Sequence, residues 1–186
     1  AVAGYMSKAR YGFYGSPGVR AEGSSHAKGG VSVVWDARRL RATKKEVLLA
    51  GRLVRVELEV VGSAERLMVL GAYMPNRSSA TDEVEPAWDE LVLAATAGGA
   101  RTIVAGDLNA EIRGRVMARG AQMTPADRCL EALVLAAALR ATATGKPTHK
   151  KGGEIDHILV HRSLAGAMGS ARVLPGVTAN DHSCVV

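Results

Sequence analysis

The sequence predicts an α/β domain, and three observations carry that expectation. Short runs alternate apolar with polar residues, helical stripes lie between those runs, and Gly, Pro and Asn clusters punctuate both. Val31-Ser32-Val33-Val34-Trp35 is a β-rich run after Gly29-Gly30. Leu53 to Val60 sets Val54, Val56, Leu58 and Val60 on one face against Arg55, Glu57 and Glu59, the pattern of a half-buried strand. Leu67 to Met74 reads as its hairpin partner across Gly62-Ser63, stopped by Pro75-Asn76. Asp82, Glu83 and Glu85 open a helix whose stripe is Val84, Trp88, Leu91, Val92 and Ala95, with early carboxylates that suit the helix dipole, and Gly98-Gly99 ends it. Thr102 to Ala105 is then a buried strand that delivers Asp107. Thr124-Pro125-Ala126-Asp127 has the form of a capping box for a second helix carrying Leu130, Leu133, Val134 and Ala137. Ile155 to Val160 and Arg172 to Leu174 complete the strands, with no repeat, low-complexity tract or linker between them, so residues 1–186 read as one domain.

Composition bounds the function. A 47% hydrophobic fraction is too high for a disordered chain. No apolar stretch is long enough to span a bilayer, so no membrane partner is expected. Cys129 and Cys184 are far apart, each within an apolar element, which predicts buried reduced thiols and an intracellular setting. The net charge of +6 gives a modest attraction for phosphate-rich partners. Arg38-Arg39-Arg41, Lys44-Lys45 and Lys150-Lys151 are candidate phosphate contacts, although each also reads as an ordinary solvated loop. Ala1 to Arg20 lacks the continuous apolar core of a signal peptide. Ala1 and the strand-like Cys184-Val185-Val186 give both ends the look of a piece of a longer polypeptide.

Chemistry concentrates where strands end. Gly106-Asp107-Leu108-Asn109 follows an apolar run, and Asp107 and Asn109, two apart, point the same way. One can accept a proton from water and the other can donate to a phosphate oxygen. An Asx turn capping the strand would use the same residues. Asp156 interrupts an apolar strand, where an unpaired carboxylate is costly, so it requires a partner. His157 points to the opposite face, which leaves His182 as the partner in an Asp-His dyad that fixes the imidazole tautomer. Asp181 reads either as a turn residue or as an oxygen ligand of the kind that suits Mg²⁺ or Mn²⁺. Tyr73 and Asn76 can bond a phosphate, or can simply end a strand with a proline turn.

Taken in order, Tyr73-x-Pro75-Asn76, Gly106-Asp107-Leu108-Asn109, Pro147-Thr148, Ile155-Asp156-His157-Ile158 and Asp181-His182 resemble the endonuclease/exonuclease/phosphatase superfamily, and within it the apurinic-endonuclease-like domains of non-LTR retrotransposons. The resemblance implies a two-sheet α/β sandwich lacking its first strands, and metal-dependent phosphodiester hydrolysis with Mg²⁺ or Mn²⁺. By position it implies that Asp107 orients or deprotonates water, Asn109 holds the scissile phosphate and Tyr73 donates to it or to the departing oxygen. His182 would stabilise charge, Asp156 orient His182, and Asp181 support the metal. Asn76, Arg77 and Thr148 would bind substrate. The implied partners are DNA and the rest of a larger polypeptide with a reverse transcriptase, and the implied location is nuclear.

The sequence also departs from that pattern. Members open with a Trp-Asn-Val-Asn-like motif and a Gln-Glu pair whose Glu is the principal metal ligand, and neither stands here. The only acids before residue 40 are Glu22 and Asp36. The family pattern is therefore expected to begin in the stretch leading to Gly29-Gly30-Val31, and the chain alone is expected to be weak or inactive. Glu154 stands where an Arg often precedes the Ile-Asp pair, His149 where the retrotransposon members usually have Trp, and Asn180 in place of Ser. Glu154 is expected to place negative charge near the phosphate path. The alternatives are another phosphoesterase of the superfamily, acting on phospholipid or inositol phosphate, and a remnant that only binds nucleic acid.

Overall fold

The computed structural model describes residues 10–20, 25, 27–76, 79, 81–112, 122–142, 144–167, 169, 171–179 and 182–185. In chain order the strands are β1 (Tyr11–Ser16), β2 (Val19–Arg20), β3 (Ala27–Lys28), β4 (Val31–Asp36), β5 (Leu40–Leu49), β6 (Leu53–Val60) and β7 (Arg66–Tyr73). Then come helix α1 (Thr81–Gly98), β8 (Thr102–Asp107), helix α2 (Pro125–Ala136), β9 (Leu139–Ala141), β10 (Asp156–His161), β11 (Val173–Ala179) and β12 (His182–Val185). Six strands form one sheet in the order β5-β6-β7-β8-β10-β9, and β1-β4, β2-β3 and β11-β12 form three two-stranded ribbons. The expected strands and both helices are present, so the chain is a layered α/β structure.

Strand alternation sorts side chains to the two faces of the large sheet. Met68, Leu70, Ala72, Val104 and Leu159 meet the buried stripe Val84, Ala87, Trp88, Leu91, Ala94 and Ala95 of α1 and Leu130 and Leu133 of α2. The stripe recurs every three or four residues, which keeps it on one side of a helix. Each large side chain so buried contributes about 1.5–3 kcal/mol. On the opposite face Val56 and Leu58 pack with Trp35 of β4, joined by Tyr14, Val33, Leu67 and Val69. Gly12 leaves room for that tryptophan, since a Cβ there would lie 2.1 Å from its ring. β7 and β8 are parallel neighbours joined by α1, and every other pair in the large sheet is antiparallel.

Several expectations are corrected. Lys44 and Lys45 lie in β5, not in a solvated loop. Lys44 pairs with Glu46, Arg41 with Glu59 and Arg38 with Asp36. The Arg38 guanidinium holds the Asp36 carboxyl well below the usual carboxylate range. β1, β2, β3, β5 and β9 are not among the expected strands. Cys129 is a free thiol and half-buried, less enclosed than expected, and the Cys184 side chain lies outside the described residues. No helix of the described residues is long and apolar enough to cross a membrane.

Candidate active site

The site is built from strand register. Tyr73 of β7 lies opposite Asp107 of β8, and Asp107 opposite Asp156 of β10. Residues paired across strands point to the same face, so a phenol and two carboxylates form a row across three neighbouring strands. Val104 points into the helix-side core. Asp107, three residues on, therefore projects from the face away from the helices. His157 faces the helix side, where Nε2 bonds the Ala110 carbonyl at 2.8 Å, as the alternation of the strand predicts.

Gly106 is required for the strand to end this way. Its φ is +144°, and a Cβ would lie 1.9 Å from the Ala72 carbonyl oxygen. Two residues after Asp107, Asn109 takes φ +49°, a left-handed conformation that asparagine tolerates. Its backbone N–H donates to Asp107 Oδ1 at 3.0 Å, which closes an Asx turn. Its Nδ2 donates to Asp107 Oδ2 at 3.2 Å and to the Met74 carbonyl at 3.0 Å. Both amide hydrogens are thus engaged, and Asn109 fixes the Asp107 carboxylate against the end of β7. The Asx turn and the placement of the Asp107 carboxylate are one arrangement.

His182 stands at the start of β12. Its Nδ1 lies 3.0 and 3.2 Å from the two Asp156 oxygens, and its Nε2 lies 3.9 Å from Asp107 Oδ2. A carboxylate only accepts, so Nδ1 carries the proton in the neutral ring. Burial, and then the charge of Asp156, push the Asp107 carboxyl up to about 6, against the bond from Asn109 and the nearby His182 and His149. Asp107, Asp156 and His182 each offer one ligand atom, all within 4.8 Å of one another. Two carboxylates held together with an imidazole make a donor set that fits a hard divalent cation.

A cleft of about 450 Å³ opens over this row, lined by Tyr73, Asn76, Asp107, Asn109 and His182, together with Glu111, His149, Lys151, Gly153 and Ile155. Thr148 does not face it. That side chain is fully buried, and its hydroxyl oxygen accepts the N–H groups of Ile155 and Asp156, both at 3.0 Å. Glu154 is also turned away from the cleft: it is buried, and Oε1 accepts the backbone N–H and hydroxyl of Thr144, both at 2.8 Å. The expectation that it charges the phosphate path is corrected accordingly. Arg77, Asn180 and Asp181 lie outside the described residues.

Two cleft residues are not evident as site residues from the sequence. Glu111 continues the two-residue spacing of Asp107 and Asn109, a signal that could have found it. It sits under Gly153, where a Cβ would lie 2.0 Å from its Oε1. His149 marks a departure from the family pattern, but only the folded chain brings its ring against His182.

Solved structures share this architecture at low identity. The endonuclease domain of TRAS1, a telomere-specific non-LTR retrotransposon, superposes with a TM-score of 0.71 at 16% identity, covering 94% of this chain and 76% of that one. The AP endonuclease LMAP from Leishmania major gives 0.71 at 15% identity, covering 93% and 68%. Sphingomyelinase C from Streptomyces griseocarneus gives 0.53 at 15% identity, covering 88% and 65%. Such likeness establishes the fold. No curated protein matches the sequence. The family match starts at residue 4, upstream of the expected Gly29-Gly30 boundary, as it must if β1 is the pairing partner of β4. With strand order, dyad and cleft in place, a match running over residues 4–177 completes the assignment: the chain belongs to the endonuclease/exonuclease/phosphatase family.

Proposed function

We propose that this chain hydrolyses phosphodiesters with the help of a divalent cation, and that its substrate is DNA, nicked as by the endonuclease domain of a non-LTR retrotransposon. The observation that carries the reading is that His182, bonded to Asp156 through Nδ1, brings Nε2 to 3.9 Å from Asp107 Oδ2 in a cleft that Asp107, His182 and Tyr73 line together. Asp107 is placed to orient a water and take its proton, and a carboxyl near 6 is a competent base at neutral pH. His182, held by Asp156 through Nδ1, turns Nε2 toward the reacting groups, where its imidazolium form would donate to phosphate oxygens on which charge develops. The Tyr73 hydroxyl is a donor for a phosphate or a departing oxygen. Asn109 acts by holding Asp107, and Thr148 by holding the start of β10.

The carboxylates of Asp107 and Asp156 would hold Mg²⁺ or Mn²⁺, with Asp181 as a further oxygen ligand. Bound there, the ion would supply charge neutralisation at the phosphate. Lys151 at the rim, with Asn76 and Arg77, would take the flanking phosphates. The retrotransposon setting adds a reverse transcriptase on the same polypeptide and work in the nucleus, supported by the likeness to the TRAS1 domain.

The test is nicking of supercoiled plasmid by the full chain with Mg²⁺ or Mn²⁺, beside Asp107→Asn. Slow, metal-dependent nicking that disappears in the variant supports the reading. Turnover of sphingomyelin or an inositol phosphate without nicking would favour a different phosphoesterase. Salt-dependent DNA binding with no hydrolysis under either metal would favour a binding remnant.

A further inference from the structure

The two halves of the proposed dyad belong to different sheets. Asp156 stands on the six-stranded sheet and His182 on the β11-β12 ribbon, so something must fix the spacing between them. The turn from Thr148 to Gly153 touches both. The Thr148 hydroxyl accepts the Asp156 N–H at 3.0 Å, and the Thr148 carbonyl accepts the Ser183 N–H at 2.7 Å. One buried residue thereby grips the backbone on each side of the dyad. Next to it, His149 is the bridge partner of His182. The two rings meet edge to face, with centroids 4.9 Å apart and planes at 69°. That contact opposes rotation of the His182 ring away from the orientation that faces Nδ1 to Asp156.

The turn is itself stiff. The Thr148 and His149 N–H groups both donate to the Gly153 carbonyl, at 2.9 and 3.1 Å, and the Gly152 N–H donates to the His149 carbonyl at 2.9 Å. Gly152 takes φ +104°, which disfavours any side chain there. The His149 ring is anchored too, since Nδ1 accepts the Lys151 N–H at 3.2 Å.

We propose that the Thr148–Gly153 turn is the positioning element of this site, and that His149 is a positioning residue that sets the His182 ring between the two carboxylates. Only the kinetic arm of the test rests on the function proposed for the site. His149 acts on His182 through the packing of its ring, so Phe keeps that contact while giving up the bond from the Lys151 N–H, and Ala keeps neither.

The experiment takes the ¹⁵N-labelled full chain and its His149→Ala and His149→Phe variants, and reads the imidazole nitrogens in long-range proton–nitrogen spectra. The parent and His149→Phe are expected to show His182 locked as the Nδ1–H form, and His149→Ala to show the two tautomers averaged. In the kinetic arm, kcat for phosphodiester hydrolysis falls about 10–100-fold in His149→Ala with KM unchanged, the size of loss seen when a partner that orients a metal-bound imidazole is removed, and His149→Phe restores it. His182 signals unchanged in His149→Ala, or averaged in His149→Phe as well, would overturn the proposal. Should His149→Ala not fold, His149→Phe alone decides by the same criterion. A parent without turnover counts against the proposed function, while the tautomer spectra still decide the positioning role.

Discussion

Replacing Asp107 by Asn should make the protein more stable at neutral pH while removing the proposed nicking activity. The carboxyl is raised from 3.8 to about 6 because burial and Asp156 oppose its ionisation. A raised acid favours the folded state only while protonated. That stability is fully present below pH 3.8 and is lost as the pH rises through about 6. At about 1.4 kcal/mol per pH unit, the ionised carboxylate costs the fold about 3 kcal/mol at pH 7.5. The amide introduced by Asp107→Asn keeps an acceptor for the Asn109 N–H, but its NH₂ group now faces Asn109 Nδ2, and losing that bond costs about 1 kcal/mol. The net gain is about 2 kcal/mol, or about 4–8 °C for a chain of this size. Thermal unfolding followed by circular dichroism, in a chelating buffer from pH 4 to 8, measures it. The gap should vanish or reverse near pH 4 and open above pH 6. A variant less stable than its parent at pH 7.5, or a gap that ignores pH, would refute the reasoning. Adding Mg²⁺ or Mn²⁺ should narrow the gap by stabilising the parent alone.

Other perturbations have separable outcomes. His182→Ala removes the imidazolium donor placed by Asp156 and should lower single-turnover nicking by about 10²–10³-fold with little change in DNA affinity measured by anisotropy. Lys151→Ala should do the reverse, weakening binding and reducing the slope of log K against log salt by about 1 while sparing the chemical step; a kcat loss without a change in salt slope would count against a phosphate contact. Gly106→Ala forces a Cβ to within 1.9 Å of the Ala72 carbonyl at φ +144°. It should cost about 3 kcal/mol or more in urea unfolding.

The parts legible in the sequence were those where local pattern and chemistry coincide. Asp156 could be read as half of a dyad because a carboxylate inside Ile155 to Val160 demands a partner, and alternation alone disqualified His157. The capping box at Thr124 is present, with Asp127 bonding back to it. β5 was hidden for a physical reason: register shifts after Ala42 and after Val47 break its two-residue period, and as an edge strand it exposes both Lys44 and Lys45. β1 was hidden by its glycines, whose purpose appears only once Trp35 lies across Gly12. β9 has three residues, too few for a period to show. At the site, Thr148 stood in the right neighbourhood, but its hydroxyl is spent on two backbone donors that no spacing rule reveals. The touching of His149 and His182 depends on β12 meeting the turn that carries His149, information that is entirely long-range.

The buried carboxylate of Asp127 joins two points far apart along the chain. One oxygen accepts the Glu111 N–H at 2.7 Å and the other the Thr124 N–H at 2.6 Å. Glu111 stands four residues past Asp107, and Thr124 caps α2, so one buried carboxylate ties the turn after β8 to the start of that helix. The cap of a helix thereby doubles as a brace for the strand end that carries Asp107.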